Sequence, residues 1–225
     1  MNTSAYHKSI IADVYDIAYR HVYNRNATLY EKIIKSLQPP GNKLFDLCCG
    51  TGGHLNEYKR LGFEVAGLDL SDVMLARARN RVAATLFQGD MRSFSIEEKC
   101  DIVTCHSFSI LHNTTICDLA ATAANVFGIL NNRGLFILDI IDKHIDTDSL
   151  LIDADGDPEQ VVLDSQSELF SIYGDEFGLC YDIQWIYEES RDCFFIVMEV
   201  EINGQHGLVR TVERIEQGDD LVVFA

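Results

Sequence analysis

Three aspartates each close a short apolar run: Asp46 ends KLFD, Asp69 ends FEVAGLD and Asp90 ends TLFQGD. Cys48, Cys49, Gly50, Gly52 and Gly53 follow the first of them, ahead of a helix-like stretch. Carboxylates gathered at strand ends suit a nucleoside with hydroxyls, an exocyclic amine and a positive charge. Glycines let a backbone approach such a ligand closely, and the start of a helix offers free N–H groups. The loop carries no lysine or arginine for a pyrophosphate. The phosphate-loop pattern GxxxxGK[ST] is absent, and the dinucleotide pattern GxGxxG fails at Leu55 after Gly50 and Gly52. Asp69 stands 23 positions beyond Asp46, near the ~20 expected of a ribose-binding acid. The same residues would also serve a tight strand-to-helix turn.

A second set could move protons. His106 and His112 flank SFSIL, and Tyr15 and Tyr19 lie four apart, on one face if their segment is helical. An amine acceptor must react in its neutral form, so a nearby base is useful. Tyr15, Tyr19 and Tyr23 suit ordinary half-buried aromatics equally well, and a histidine at a strand end can simply bridge two loops. The seven cysteines contain no CxxC and no zinc spacing. Cys48 and Cys49 point to opposite faces of a strand end and read as small, reduced, buried thiols. No metal is expected.

These residues need elements to hold them. The run ATLYEKIIKSL puts Leu29, Ile33, Ile34 and Leu37 on one helical stripe, ended by Pro39, Pro40 and Gly41. KLFDLCC reads as a buried strand, HLNEYKRLG as a helix closed by Gly62, and FEVAGLDL as the next strand. Ser71 caps DVMLARARNRV. AATLFQGD and CDIVTCHSF are the third and fourth strands, NTTICDLAATAANVFGIL a long helix, and Gly134 precedes the fifth strand LFILDII. Strands separated by helices imply a parallel sheet, so the fold class is α/β, Rossmann-like and doubly wound. Beyond about residue 142, LCYDIQWIYEE, CFFIVMEVEI and HGLVRTVERIE read as strands joined by short connections, a C-terminal antiparallel β appendage. The expected layout is one domain: a helical segment over 1–40, a core over 41–142 and the appendage over 143–225.

The bulk numbers bound the function. The chain has 225 residues and 47% hydrophobic content, enough for one sizeable core. A net charge of −17 repels phosphate backbones, which disfavours nucleic acid as a partner. No apolar run approaches the ~18 residues of a membrane helix, and the start lacks a signal peptide's apolar stretch. The expectation is a cytoplasmic protein with a small-molecule substrate and no membrane partner.

The segments LFDLCCGTGGHL, VAGLDLSDVMLARAR, LFQGDMRSF, CDIVTCHSFSILH and ILNNRGLFILDI together resemble the class I S-adenosylmethionine-dependent methyltransferases. VYDIAYR and the late strands resemble the aminosugar and glycine/sarcosine-type N-methyltransferases within that class. The resemblance implies S-adenosyl-L-methionine as cofactor. It implies that Asp46, Cys48, Gly50 and Gly52 frame the methionine part, with Asp69 on the ribose hydroxyls and Leu70 beside the adenine. Asp90 would accept from the adenine amine, Met91 would pack on the ring, and His106 would lie near the sulfonium. Tyr15 and Tyr19 would belong to a lid over the cofactor, and His106, Tyr15 and His112 are the catalytic candidates.

The nucleic-acid-type (D/N)PPY segment is replaced by CHSF at residues 105–108. Asp139 and Asp142 follow the fifth strand, but a metal-dependent O-methyltransferase would need an aspartate where Cys105 to Ser107 stand. The implied activity is methyl transfer to a small-molecule amine nitrogen. A small-molecule O-methyltransferase and a catalytically silent S-adenosylmethionine-binding partner subunit are the alternatives. Trp185, Ile186, Phe194, Phe195 and Val197 are expected to supply apolar surface over 161–217, roofing the acceptor pocket and forming a homodimer contact.

Overall fold

The computed structural model describes Ala12, Tyr15, Asp16 and residues 19–139, with the backbone of residues 169–176, 179–188, 193–202 and 205–214. Within 19–139 the elements are α1 Arg20–Leu37, β1 Lys43–Leu47, α2 Gly53–Arg60, β2 Glu64–Asp69 and α3 Asp72–Arg81. They continue with β3 Thr85–Gln88, β4 Cys100–Cys105, α4 Ile116–Ile129 and β5 Leu130–Leu138. The five strands pair in the order β3-β2-β1-β4-β5, all parallel. The strand order reverses between β1 and β4. An open α/β sheet binds ligands at that switch point, outside the carboxyl ends of its strands. The expected Rossmann-like, doubly wound parallel sheet is therefore present.

Local chemistry sets the boundaries. Ser71 accepts from the Met74 N–H at 3.2 Å and starts α3, while Thr115 accepts from Asp118 N–H at 3.1 Å and starts α4. Gly52 caps α2 at φ 77°, and a Cβ there would lie 3.0 Å from Ala78 Cβ of α3. Glycine at that position satisfies both the left-handed turn and the close helix approach. Gly134 lies inside β5, not ahead of it. The strand starts at Leu130, and its register against β4 slips between Cys100 and Ile102. A Cβ on Gly134 would meet Asn131 O, Leu130 and Asp101 O at about 3 Å, so glycine permits the irregularity. Residues 89–99, between β3 and β4, cross the sheet as a loop where the alternation predicts a helix.

Helix α1 turns a different face inward from the expected one. Ala27, Tyr30 and Ile34 are buried, while Leu29, Ile33 and Leu37 are exposed. Two apolar stripes share this helix, and the one bearing Tyr30 meets Leu44, Leu55, Tyr58 and Ile102 in the core layer. The other layer gathers Phe45, Leu47, Leu68, Val103, Ile110 and Val126. Strand β4 is buried at every position, as a central strand covered on both faces should be.

The chain divides into two compact units, and the second is built on an antiparallel ladder. There β6 Leu169–Glu176, β7 Leu179–Glu188, β8 Cys193–Ile202 and β9 Gln205–Arg214 pair in sequence order. Strand β6 carries no strong alternation and escapes a sequence reading. The register sets Phe170, Trp185, Ile196 and Thr211 in one row, and Leu169, Ile186, Phe195 and Val212 in the next. Successive rows belong to opposite faces, so the apolar residues expected to form one surface divide between two. Residues 140–168 and 215–225, and with them Asp142, lie outside the described residues.

Candidate active site

The carboxyl edge of β2, β1 and β4 collects most of the chemistry. Asp46 ends β1 just inside the core, 1% exposed, and accepts from Thr104 Oγ1 of β4 at 2.7 Å. Burial raises its pKa to about 8, Thr104 pulls it back, and the neighbouring Asp139 and Asp69 push it further up. Cys48 follows at φ 58°, and its Sγ lies 3.9 Å from Met91 Sδ. A hydrogen bond to Cys105 and burial hold its thiol well above the ordinary range, and burial does the same to Cys49. Neither is a nucleophile at neutral pH.

Gly50 N–H donates to Asp69 Oδ2 at 2.7 Å, and Ser71 N–H donates to the other carboxylate oxygen at 2.8 Å. Asp69 thus ties the glycine loop to the start of α3. Gly50 has φ 54°, yet a Cβ there would meet nothing nearer than Cys48 O at 4.0 Å. The glycine faces open space rather than a protein neighbour. That is the form of a cradle for a ligand, and the donor set around it fits a nucleoside carrying a cationic tail. Leu70, 50% exposed beside Asp69, offers an apolar platform at the same edge.

Asp90 and Met91 are placed less simply. Arg92 grips Asp90 with Nε at 2.9 Å and Nη2 at 2.5 Å, which holds the carboxyl below its usual range. An adenine amine would share this carboxylate with the guanidinium. Met91 is buried, with Sδ 3.5 Å from Asn113 Nδ2, so its side chain already lies inside the layer.

His106 is the centre of a buried aromatic group. Its Nε2 lies 2.8 Å from Tyr58 Oη and 4.0 Å from Asp46 Oδ1. Its ring stacks on His54 with centroids 4.0 Å apart, and Tyr30 tilts against it at 4.7 Å. Burial and the neighbouring His54 hold it neutral, far below the usual imidazole range. His112 ends one turn of 3-10 helix over Ser109–His112, and burial lowers its pKa to about 4. Both histidines resist taking a proton. Tyr15 and Tyr19 stack at 4.9 Å, and Tyr23 donates to Tyr15 O at 3.1 Å. Asp16 pairs with Arg81 of α3 at 2.8 Å, which ties this segment to the core.

Several residues here escape a sequence reading. His54 and Tyr58 are four apart on α2 and both buried, so a polar pair on a core-facing stripe is the only local signal of them. Asp139, whose sequence position suggests only a metal site, instead accepts from Ser107 N–H at 3.0 Å and Phe108 N–H at 2.6 Å. Those two residues hold φ of 54° and 58°, so Asp139 pins a strained turn after β4. Tyr30 Oη also donates to it, at 3.4 Å.

A doubly wound parallel sheet, a glycine cradle after β1 and acids ending β1 and β2 define a class I S-adenosylmethionine-dependent methyltransferase domain. Residues 44–134 match the family model described as a methyltransferase domain, and the chain carries a domain of that family. It resembles aminosugar N-methyltransferases. A dTDP-3-amino-3,4,6-trideoxy-alpha-D-glucopyranose N,N-dimethyltransferase of Streptomyces venezuelae is 35% identical over 57% of this chain and 56% of its own. A dTDP-4-amino-2,3,4,6-tetradeoxy-D-glucose N,N-dimethyltransferase of Saccharopolyspora spinosa is 30% identical over 64% and 61%. The chain thus spans about three fifths of the length of the curated relatives it matches. The crystal structure of Streptomyces venezuelae DesVI superposes with a TM-score of 0.71 at 25% identity, over 91% of this chain and 83% of that one. Among the described residues, no helix is long and apolar enough to cross a membrane.

Proposed function

We propose that the chain is a methyltransferase that uses S-adenosyl-L-methionine to methylate an amine nitrogen of a small-molecule acceptor, with an aminosugar as the first class to test. The observation that carries this reading is the Asp69 carboxylate clasped to the Gly50 N–H, which draws the ribose-type acid and the glycine cradle into one site. When bound, the cofactor supplies a methyl group on an electron-poor sulfur. Asp69 holds the ribose, Leu70 and Met91 flank the adenine, and Asp90 shares its carboxylate between Arg92 and the adenine amine. Asp46, Cys48, Gly50 and Gly52 frame the tail. The protein aligns the acceptor and excludes water, and little covalent help is needed.

His106 and His112 are held neutral by burial, so they suit hydrogen bonding to a neutral amine better than storing its proton. Incubation with labelled cofactor and a panel of amino sugars, simple amines and phenols tests the reading. Transfer to amines is expected. Transfer to phenols alone would replace nitrogen by oxygen, and no transfer despite cofactor binding would leave a silent binding subunit.

The residues before α1 are assigned to a lid. Support comes from the Tyr15–Tyr19 stack and the Asp16–Arg81 pair, both of which hold this segment to the core. Amide exchange over residues 6–26 should slow at least severalfold with S-adenosylhomocysteine bound. Equal exchange with and without it would make the segment a passive helix. The antiparallel unit is assigned to a roof over the acceptor and to a homodimer contact, since apolar residues fall in rows on both its faces. Light scattering on the full chain should return twice the mass of one chain. A single-chain mass at micromolar concentration removes the dimer contact.

A further inference from the structure

His54 and His106 contribute two of the few buried side-chain polar atoms left without a partner among the described residues. These are His54 Nε2 and His106 Nδ1, on rings 6% and 3% exposed that stack 4.0 Å apart. A buried ring nitrogen without a partner forfeits its hydration and gains nothing in return. One orphan is a common local defect. Two on stacked rings beside a ligand cradle amount to an unfilled site.

We propose that these stacked imidazoles form a carboxylate-binding subsite, which receives the acidic end of a ligand held over the glycine loop. The inference rests on the cofactor reading above and extends it to residues outside the motif series.

Hydrogen-bond accounting gives the polarity of the subsite. Tyr58 Oη has one proton, and Nε2 of His106 is its partner at 2.8 Å. Burial pushes the phenol's pKa upward, so it stays a donor. If Tyr58 donates to Nε2, the neutral ring carries its proton on Nδ1, the orphaned atom. The reverse tautomer would leave the phenol proton buried and unmatched. His106 therefore presents a donor and calls for an acceptor oxygen.

His54 is also neutral, with burial lowering its pKa to about 3, and its Nε2 can carry a proton for the second oxygen. A guanidinium would be the usual carboxylate partner. Arg81 is engaged instead, with Nη1 at 2.8 Å from Thr51 Oγ1 and Nη2 at 2.8 Å from Asp16. Tyr23, edge-on to His54 at 4.9 Å, and Tyr30, against His106, close the aromatic wall.

Two ligands could bring the carboxylate: the cofactor's amino-acid tail, or an amino-acid acceptor. Titration calorimetry with S-adenosylmethionine and its decarboxylated analogue, which keeps the ammonium, separates them. Wild-type protein should prefer the carboxylated form at least tenfold, equivalent to about 1.4 kcal/mol. His54→Phe keeps a stacking ring and removes no protein hydrogen bond at Nε2. It should abolish the preference while leaving affinity for the analogue unchanged.

If wild type shows no preference but its complex with 5′-methylthioadenosine binds glycine saturably, and His54→Phe does not, the carboxylate belongs to the acceptor. That outcome also supports the subsite. Equal loss of both ligands in the variant, or a preference that survives it, overturns the proposal. Should the variant fail to fold, ¹⁵N imidazole resonances of wild type provide the check. They should shift with S-adenosylmethionine or with glycine, and fixed resonances with both overturn it. Failure of wild type to bind any adenosyl ligand would refute the cofactor reading instead.

Discussion

Replacing Asp69 with alanine should raise the dissociation constant for S-adenosylmethionine at least a hundredfold, a loss of roughly 3 kcal/mol. Two effects add in the same direction. A ribose gripped by a carboxylate loses charge-assisted hydrogen bonds, each stronger than a neutral one. The protein also loses the acceptor for Gly50 N–H at 2.7 Å and Ser71 N–H at 2.8 Å. With those bonds gone, the glycine loop is no longer tied to the start of α3, and the cradle loses preorganisation.

Asp69→Asn separates the two effects. Its amide oxygen can retain one backbone bond, while the charge on the ribose side is gone. The expected order of affinity by calorimetry is wild type, then Asn, then Ala. An unchanged constant in the alanine variant sinks the assignment of Asp69 to the ribose.

Much of this site is legible in the amino-acid sequence because β1, β2 and β4 obey local rules. Short apolar runs ended by acids, separated by capped helices, specify a parallel sheet and place Asp46 and Asp69 at one edge. Ser71 is legible as a cap because it precedes an acidic first turn, and it caps. The glycine loop is legible because glycines after a strand end have few other uses.

Other features depend on contacts far apart in sequence. Asp139 reaches Ser107 and Phe108 across some thirty residues, and no local pattern announces it. The His54–His106 stack joins α2 to the end of β4 in the same way. On α1, two apolar stripes compete, and only the three-dimensional partners of Tyr30 decide which one is buried. Asp90 is legible as a strand-end acid, but its Arg92 clamp is not, since a neighbour two positions on is usually solvated.

Asp46 should make both stability and cofactor binding depend on pH, because it lies buried among groups that oppose its charge. Asp69 at the end of β2 and Asp139 after β5 repel a carboxylate there, and Tyr30 of α1 and Tyr58 of α2 close around it. Thr104 and His106 face it from β4, and only Thr104 donates to it, at 2.7 Å. The native pKa is raised to about 8 from 3.8. Between those values the unfolded chain is ionised at this position while the native protein keeps the proton. Native stability contributed here therefore falls as pH rises through that window and levels off above about 8. Each unit of difference corresponds to about 1.4 kcal/mol, so the full effect is on the order of 5 kcal/mol.

Asp46→Asn retains an oxygen for Thr104 and removes the titration. Urea unfolding at pH 5, 6.5 and 8 should show wild type losing stability relative to the variant at each step. Parallel curves would place the native pKa near its ordinary value. The same proton reports on the ligand. A sulfonium and an ammonium near Asp46 favour its charged form, so binding at pH 7 should expel a proton from wild type. Calorimetry of S-adenosylmethionine in two buffers of different ionisation enthalpy counts that proton. The count should fall in Asp46→Asn, and in wild type it should be smaller for S-adenosylhomocysteine, whose sulfur is uncharged. Equal counts in wild type and variant would remove Asp46 from the cationic end of the site.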